Sequence, residues 1–302
     1  MNTFYGEDTK ELTKLTTILL GVSASLCLLG STSQTTDARA TKLSKGYINV
    51  SPHHYYLTKA KILTTQGTST KRFKVTIPKG TILQPGYTTT TKRGHSYLQV
   101  SVDGLNYSIR KPFLAHKSTV SYTAWIAAKS TLFKRIKRPT YLKYYPGNHI
   151  FPTGASRIAR NDGNLWQGTQ LPADYLSATA NRIRVTTNGY LEHFSKSPFY
   201  YSISGKPDST TKVQKALYFN KGHLNLYFKT KPKKIATTKF HKKGNYRYRL
   251  IINRLYQNAV TNISNGKNPA DPLNVDYVMV SGKYTVANKD YYMTTESINL
   301  DN

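Results

Sequence analysis

Short runs of alternating apolar and polar residues recur along most of the chain, and turn residues interrupt them about every ten residues. Such alternation is typical of β-strands, because successive side chains of a strand point to opposite faces of the sheet. The pattern predicts a mainly β protein with little helix. Two segments are candidate helices: residues 122–136, which could equally form a pair of strands, and residues 172–178.

Four segments have the form of a β-hairpin, with turn-forming residues between two alternating runs. They are residues 72–83, 97–110, 182–194 and 275–287, with turns predicted at Pro78-Lys79-Gly80, Asp103-Gly104, Asn188-Gly189 and Ser281-Gly282. These residues favour tight turns because glycine and asparagine tolerate a positive φ.

The last three hairpins lie at comparable intervals, as repeated modules would. Residues 100–113 and 185–199 also align with one insertion, and each carries a basic residue and then Pro-Phe after the hairpin. This alignment is either a true repeat or a chance match. The prediction is a tandem of small β-barrel or SH3-like modules at residues 41–120, 121–200 and 201–302.

The N-terminal segment has the pattern of an export signal. Residues 16–30 are mostly apolar or small, and they are fewer than the roughly twenty residues that span a bilayer. A polar stretch and the small-x-small site Ala38-Arg39-Ala40 follow, so residues 1–40 are predicted to be a cleaved signal peptide. A membrane anchor or a short buried helix is the alternative. Cys27 follows Leu26 rather than a small residue, which argues against lipid attachment.

The charge of the chain indicates an acidic partner. The formal net charge is +30, and a field of one sign costs self-repulsion unless a polyanion is near. For a secreted protein that attaches non-covalently to the cell surface, the expected partners are cell-wall teichoic acid, peptidoglycan and acidic host glycans. Lysine outnumbers arginine and binds phosphate as a point charge, which suits a flexible polymer. An extracellular nucleic-acid binder is an alternative, and it would need a groove with exposed tyrosines among basic residues.

Two basic segments also carry aromatic residues and are the candidate polyanion-binding sites. Alternation places Tyr246 and Tyr248 on one face of a strand, where they either stack on ligand or point into the core, and Trp166 has the same two interpretations. The candidate stacking residues are therefore Trp166, Tyr246 and Tyr248. The candidate polyanion-binding residues are Lys134, Arg135, Lys137, Arg138, Lys231, Lys233, Lys234, Lys242, Lys243, Arg247 and Arg249.

Residues 72–114 resemble the bacterial SH3-like wall-binding module. The matching positions are Lys79, Gly80, Thr81, Tyr97, Val100, Gly104, Tyr107 and Ile109, and the departure is Asn106, where the module usually has glycine. The whole chain also resembles, in composition, secreted surface proteins of lactic-acid bacteria. The resemblance implies small β-modules and non-covalent retention on a wall that bears teichoic acid.

The residues do not assemble into a recognisable catalytic or metal-binding motif. His53 and His54 are adjacent, so they would face opposite sides of a strand. Ser209 and Lys212 match the Ser-x-x-Lys pattern of wall acyltransferases but lack its later elements. Glu192, with Asp162 or Asp174, could form the carboxylate pair of a wall hydrolase, although ion pairing explains these acids more simply. The prediction is a non-enzymatic protein without cofactor or metal, with the hydrolase as an alternative.

Overall fold

The computed structural model describes residues 46–48, 54–67, 71–116, 123–146, 163–175, 177–199, 203–220, 222–263 and 277–299. The predicted signal peptide and its cleavage site lie outside these residues. Within them the protein is mainly β with one short helix, as predicted. The elements are β1 (Tyr55–Thr58), β2 (Ile62–Gly67), β3 (Arg72–Ile77), β4 (Ile82–Leu83), β5 (Pro85–Thr90), β6 (Ser96–Ser101), α1 (Tyr107–Ala115), β7 (Thr123–Ala127), β8 (Phe133–Ile136), β9 (Leu165–Gln167), β10 (Thr179–Val185), β11 (Tyr190–Pro198), β12 (Ser209–Lys212), β13 (Lys215–Phe219), β14 (His223–Phe228), β15 (Thr238–Lys239), β16 (Tyr248–Ile263), β17 (Tyr277–Val286) and β18 (Lys289–Asn299).

The N-terminal elements form three small antiparallel sheets around one core. The sheets have the orders β4-β1-β8, β2-β3 and β5-β6-β7. In β3 the side chains of Phe73, Val75 and Ile77 point inward while their neighbours are exposed, as strand alternation requires. They join Leu98 and Val100 of β6 in a shared core.

The C-terminal strands form one ten-stranded antiparallel sheet. Its order is β12-β11-β10-β9-β18-β17-β16-β14-β13, with β15 paired to β16. The two strands at its ends, β12 and β13, are separated in sequence only by Val213 and Gln214. The backbone N–H of Val213 donates to Gly189, and that of Gln214 donates to Tyr227. This two-residue link joins the two end strands, so the sheet curls around a core that includes side chains from β10, β11, β14, β16, β17 and β18.

The predicted hairpin at residues 97–110 is wrong in its second half. Residues Tyr107–Ala115 form helix α1, which starts after Asn106 in extended conformation. The helix buries Ile109 and Phe113, which lie four residues apart and so share one helical face. Two of the positions that match the SH3-like module, Tyr107 and Ile109, are thus helical here.

Two further hairpins differ from the prediction. In residues 72–83 the turn forms with Gly80 at φ +78°, but β3 pairs with β2 and β4 pairs with β1. In residues 275–287 strand β17 continues through Ser281 and Gly282, because β16 and β18 pair with it there on both sides. The hairpin at residues 182–194 is confirmed as β10 and β11.

The two candidate helices are not helical. Within residues 122–136 the structure places β7 and β8, the strand alternative, which pair with β6 and β1. The described residues of 172–178 form turns, in which the N–H of Ser177 donates to the carbonyl of Asp174 at 3.0 Å. Tyr175 is buried there beside Trp166.

Sheets cross both of the predicted module boundaries. Strands β7 and β8 follow residue 120 but pair with strands that precede it, and β11 pairs with β12 across residue 200. Residues Lys42–Asn302 group as one unit. The three predicted modules therefore do not each hold a sheet of their own.

Candidate functional site

Glu192 lies in a buried ion cluster, which consists of Asp103, Arg110, Arg182, Arg184 and Glu192. Arg184 and Glu192 are cross-strand partners on β10 and β11, and their side chains meet at 3.2 Å. Arg110, on α1, reaches the same carboxylate at 3.0 Å. Arg184 also contacts Asp103, in the turn after β6, at 2.6 Å. The cluster thereby joins the N-terminal core to the curled sheet.

The two sequence segments that align supply three of the five residues of this cluster. Residues 100–113 contain Asp103 and Arg110, and residues 185–199 contain Glu192. One segment ends in a helix and the other in a strand, so they are not structural repeats. They pack against each other instead, since the N–H of Thr187 donates to the carbonyl of Gly104 at 2.8 Å.

The acids of the buried ion cluster act as structural anions. Burial alone would raise the pKa of Asp103, but Arg184, Arg110 and Arg182 outweigh it and hold that pKa well below its usual range. Glu192 has no exposed surface, and it accepts hydrogen bonds from both guanidinium groups and from the N–H of Tyr107 at 2.8 Å. A catalytic carboxylate must reach its substrate, and Glu192 is enclosed by protein.

The other acids of the hydrolase alternative do not join Glu192 in a cleft. Asp162 lies outside the described residues. Asp174 is exposed and accepts a hydrogen bond from the hydroxyl of Ser177 at 3.4 Å. The described residues hold no group of three His, Cys, Asp or Glu that could bind a metal ion.

Acidic residues are sparse along much of the chain, and two of them belong to the buried ion cluster. Asp103 is the only acidic residue between positions 38 and 161, and Glu192 is the only one between 175 and 207. Both are inside the protein, together with the arginines that neutralise them. Residues 209–270 contain no Asp or Glu. The basic surface of β12–β16 therefore has no acidic residue of its own.

Part of that surface forms a basic–aromatic cluster on the sheet. We use this name for Lys215, Tyr227, Phe240, Tyr246, Arg247 and Arg249. Lys215 pairs with Tyr227, Tyr227 with Arg249, and Arg249 with Thr238 across four adjacent strands. Directly paired residues project from the same face, so these side chains form one row, in which neighbouring strands lie about 4.8 Å apart.

Aromatic rings hold the cations of this row in place. Phe240 and Tyr246 pack edge-on against Tyr227, with ring centroids 5.4 and 6.3 Å away. The guanidinium of Arg249 lies 5.2 Å from the Phe240 ring, and the ammonium of Lys215 lies 5.5 Å from the Tyr246 ring. Phe240 and Tyr246 remain 43% and 41% exposed, so the rings are open to a ligand. The arrangement presents fixed charges beside accessible aromatic faces.

Comparison of the chain with protein-family models, curated proteins and solved structures finds no match. Across the residues that the structure describes, no helix has the length and apolar character needed to cross a bilayer.

The segment "KFHKKGNYRYRL" is a hairpin loop that extends the basic–aromatic cluster. Lys239 pairs with Tyr248, and the N–H of Phe240 donates to Arg247 at 2.7 Å. Gly244, at φ +87°, turns the chain between them. Five of the predicted lysines are exposed in this loop and in the preceding one: Lys231, Lys233, Lys234, Lys242 and Lys243. The salt bridges in which both partners are described residues have Arg110, Arg184 and His193 as their cations.

The two predicted tyrosines do not share a strand face, because β16 begins at Tyr248 and Tyr246 lies in the loop before it. Tyr248 packs partly buried against the main core, in line with buried Leu250 and Ile252. Tyr246 precedes the strand and lies at the surface. Tyr248 therefore supports the sheet, while Tyr246 belongs to the exposed cluster.

The basic residues of 134–138 have mixed surroundings. Lys134 and Lys137 are exposed, and Arg135 donates to His54 at 2.6 Å. Arg138 donates to the carbonyls of Leu142 and Tyr145, each at 2.7 Å, and so fastens the turn at Thr140–Leu142. The guanidinium of Arg138 is thus engaged by backbone carbonyls, so this residue has a structural role in addition to its predicted role as a ligand contact.

Trp166 is a core residue. It is 3% exposed and its ring centroid lies 4.3 Å from that of Phe199. The guanidinium of Arg182 lies 5.2 Å from the same ring. Protein covers the faces that a sugar would need, so the core interpretation holds.

Sequence reasoning did not find Lys215 and Tyr227. Both lie in ordinary alternating runs, far along the chain from Arg249, and nothing local marks them. Only the pairing of β13, β14 and β16 brings them into the row.

Proposed function

We propose that the protein is a secreted, non-enzymatic protein that attaches non-covalently to the cell surface by binding a wall polyanion. The proposed partner is teichoic acid or peptidoglycan, with acidic host glycans as further ligands of the same chemistry. The observation that carries the proposal is the row of Lys215, Tyr227 and Arg249 with exposed Tyr246 beside it.

Electrostatics favour a long anionic polymer over a compact ligand. The basic–aromatic cluster lies on the face of the sheet opposite its core, and the flanking lysines extend it beyond the reach of a single small anion. Each phosphate that binds releases counterions, so many weak contacts add up to a steeply salt-dependent affinity. At about 0.15 M salt, contacts beyond roughly 8 Å are screened, so the charges close to the polymer dominate.

The location rests on the sequence. The proposed signal peptide at residues 1–40 would deliver the protein across the membrane, and the SH3-like resemblance of residues 72–114 is consistent with a wall ligand. An SH3-like character of the N-terminal sheets remains part of this proposal, with helix α1 and the strand pairs that cross residue 120 as departures from that pattern.

The test compares two variants that lose the same charge. The first variant carries Lys242→Gln, Lys243→Gln, Arg247→Gln and Arg249→Gln, in and beside the basic–aromatic cluster. The control carries four changes to Gln at exposed basic residues that lie outside both the basic–aromatic cluster and the SH3-like segment: Lys59, Lys61, Lys129 and Lys206. Binding to purified walls is measured from low to molar salt, with and without extraction of teichoic acid.

The first variant should bind walls much more weakly and with a shallower salt dependence, while the control stays near wild type. Equal losses would show that net charge alone drives binding and would remove the role of the cluster. Unchanged binding in molar salt would refute the electrostatic mechanism. Tighter binding to single-stranded DNA than to wall polymer of equal charge would replace the proposal with nucleic-acid binding.

A further inference from the structure

A cleft of about 150 Å³ lies apart from the basic–aromatic cluster. Its lining comes from β9, β10, β11, β17 and β18, from the turn between β17 and β18, and from the loop at 234–236. The side chains that matter chemically are Gln167, Asn181, His193, Lys234 and Lys289. The cleft is smaller than the roughly 300–1,000 Å³ of sites for drug-sized ligands, so it fits a fragment-sized group.

The polar lining is dominated by donors. Lys234, in the loop at 234–236, and Lys289, at the start of β18, each bring one positive charge to the cleft. The amide of Asn181 donates to the Oε1 of Gln167 at 3.0 Å, which leaves the Nε2 of Gln167 as a donor. Among the described residues, the lining contains no carboxylate. An anion that also offers hydroxyl groups would satisfy this set.

The acids nearest the cleft are already engaged or face solvent. Asp208 lies 3.4 Å from the Nδ1 of His193 and accepts a hydrogen bond from the N–H of Ser195. Asp290 follows Lys289 and is exposed. Burial lowers the pKa of His193 despite the opposing effect of Asp208, so the positive charge of the cleft at neutral pH comes from the lysines.

Backbone strain is concentrated at the cleft. Five non-glycine residues of the described chain have a left-handed φ, and two of them, Lys234 at +66° and Ala287 at +49°, line the cleft. Asn288, at +63°, lies between Ala287 and Lys289, and Lys196, at +48°, donates its N–H to Asn181. Residues with a Cβ rarely adopt this backbone conformation, and those that do are found most often at functional sites.

The turn between β17 and β18 shows why this strain is informative. Val286 pairs with Lys289, so Ala287 and Asn288 form a two-residue turn with positive φ at both positions. Asparagine or glycine would suit both positions, but the chain has alanine at the one that lines the cleft. The turn fixes Lys289 at the rim of the cleft.

We propose that this cleft binds a phosphate group carried on a small polyhydroxylated unit, with Lys234 and Lys289 on the phosphate and Gln167 on the hydroxyl groups. The chemical class of this ligand is inferred from the residues that line the cleft. The source of the unit rests on the proposed function, because a repeating polyol phosphate of the wall would present this group many times. A free sugar or polyol phosphate would present the same group once.

The test uses glycerol 3-phosphate, inorganic phosphate and glycerol as probes for the full chain in isothermal titration calorimetry. Glycerol 3-phosphate should bind, inorganic phosphate should bind several-fold more weakly, and glycerol should not bind. Combined Lys234→Gln and Lys289→Gln should weaken glycerol 3-phosphate binding at least tenfold. The control Lys206→Gln removes an exposed charge elsewhere and should leave binding unchanged. Thermal melts verify that each variant is folded.

The outcomes separate the two proposals. No binding of glycerol 3-phosphate to the wild-type chain, or no effect of the double change, overturns the cleft inference even if walls still bind with steep salt dependence. Equal affinity for inorganic phosphate and glycerol 3-phosphate overturns the polyol part. Wall binding that survives loss of the basic–aromatic cluster overturns the proposed function, whatever the cleft binds. If the wall polyol-phosphate polymer binds no more tightly than glycerol 3-phosphate in the same calorimetric assay, the natural ligand of the cleft is a free phosphate ester.

Discussion

Replacing Glu192 with glutamine is expected to destabilise the fold strongly. The change keeps the shape of the side chain but removes one of two negative charges from a cluster with three arginines. Arg110 and Arg184, whose contacts with Glu192 are 3.0 and 3.2 Å, would then share only Asp103. Breaking a buried ion pair by removing one partner costs about 3–5 kcal/mol, because the other charge stays buried without compensation.

The loss can be measured by circular dichroism in thermal and urea unfolding at pH 7. A change of 1 kcal/mol shifts Tm by about 2–4 °C in a domain of 150–250 residues, so Glu192→Gln should lower Tm by about 6–20 °C. Asp174→Asn is the matched control, since it removes the same charge from an exposed site and should have the same Tm as the wild type. Adding Arg110→Gln to Glu192→Gln should cost less than the sum of the single changes, because the uncompensated charge is removed. A Glu192→Gln variant as stable as wild type would refute the structural role and reopen a catalytic one.

Three smaller predictions follow from the same structure. Tyr248→Ala should lower Tm without a specific loss of wall binding, whereas Tyr246→Ala should weaken wall binding at unchanged Tm; the reverse pattern would exchange their roles. Gly189→Ala should cost more than about 1 kcal/mol in urea unfolding, since Gly189 has φ +78° and an added Cβ would lie 3.2 Å from Tyr141; equal stability would refute the tight approach. Stability should fall on acidification, because the folded-state pKa values of both His193 and Asp103 lie below their unfolded values of 6.5 and 3.8. The unfolded state therefore takes up protons first, below about pH 6.5 and again below about pH 4, and His193→Gln should flatten only the upper part of a pH titration of urea unfolding.

Local patterns predicted some elements well and failed where a distant partner decided the structure. The Asn188-Gly189 turn and the inward face of Tyr248, Leu250 and Ile252 follow from turn chemistry and period-two alternation. The Ser281-Gly282 turn does not form, because strands on both sides satisfy the backbone of β17 and outweigh local turn preference. Residues 107–115 alternate like a strand in part, but burial of Ile109 and Phe113 selects a helix.

The sequence by itself determined that the protein is mainly β and strongly basic, and it marked Arg247, Arg249 and Tyr246 as surface candidates. These properties depend on composition and on side-chain periodicity, which are local. Only the tertiary structure decided that Asp103 and Glu192 are buried with arginines, that Trp166 lies in the core, and that Lys215 and Tyr227 align with Arg249. It also decided where Lys234 and Lys289 meet around a cleft. Strand pairing between distant segments sets these positions, because the hydrogen bonds of a β-sheet join residues without regard to their separation along the chain.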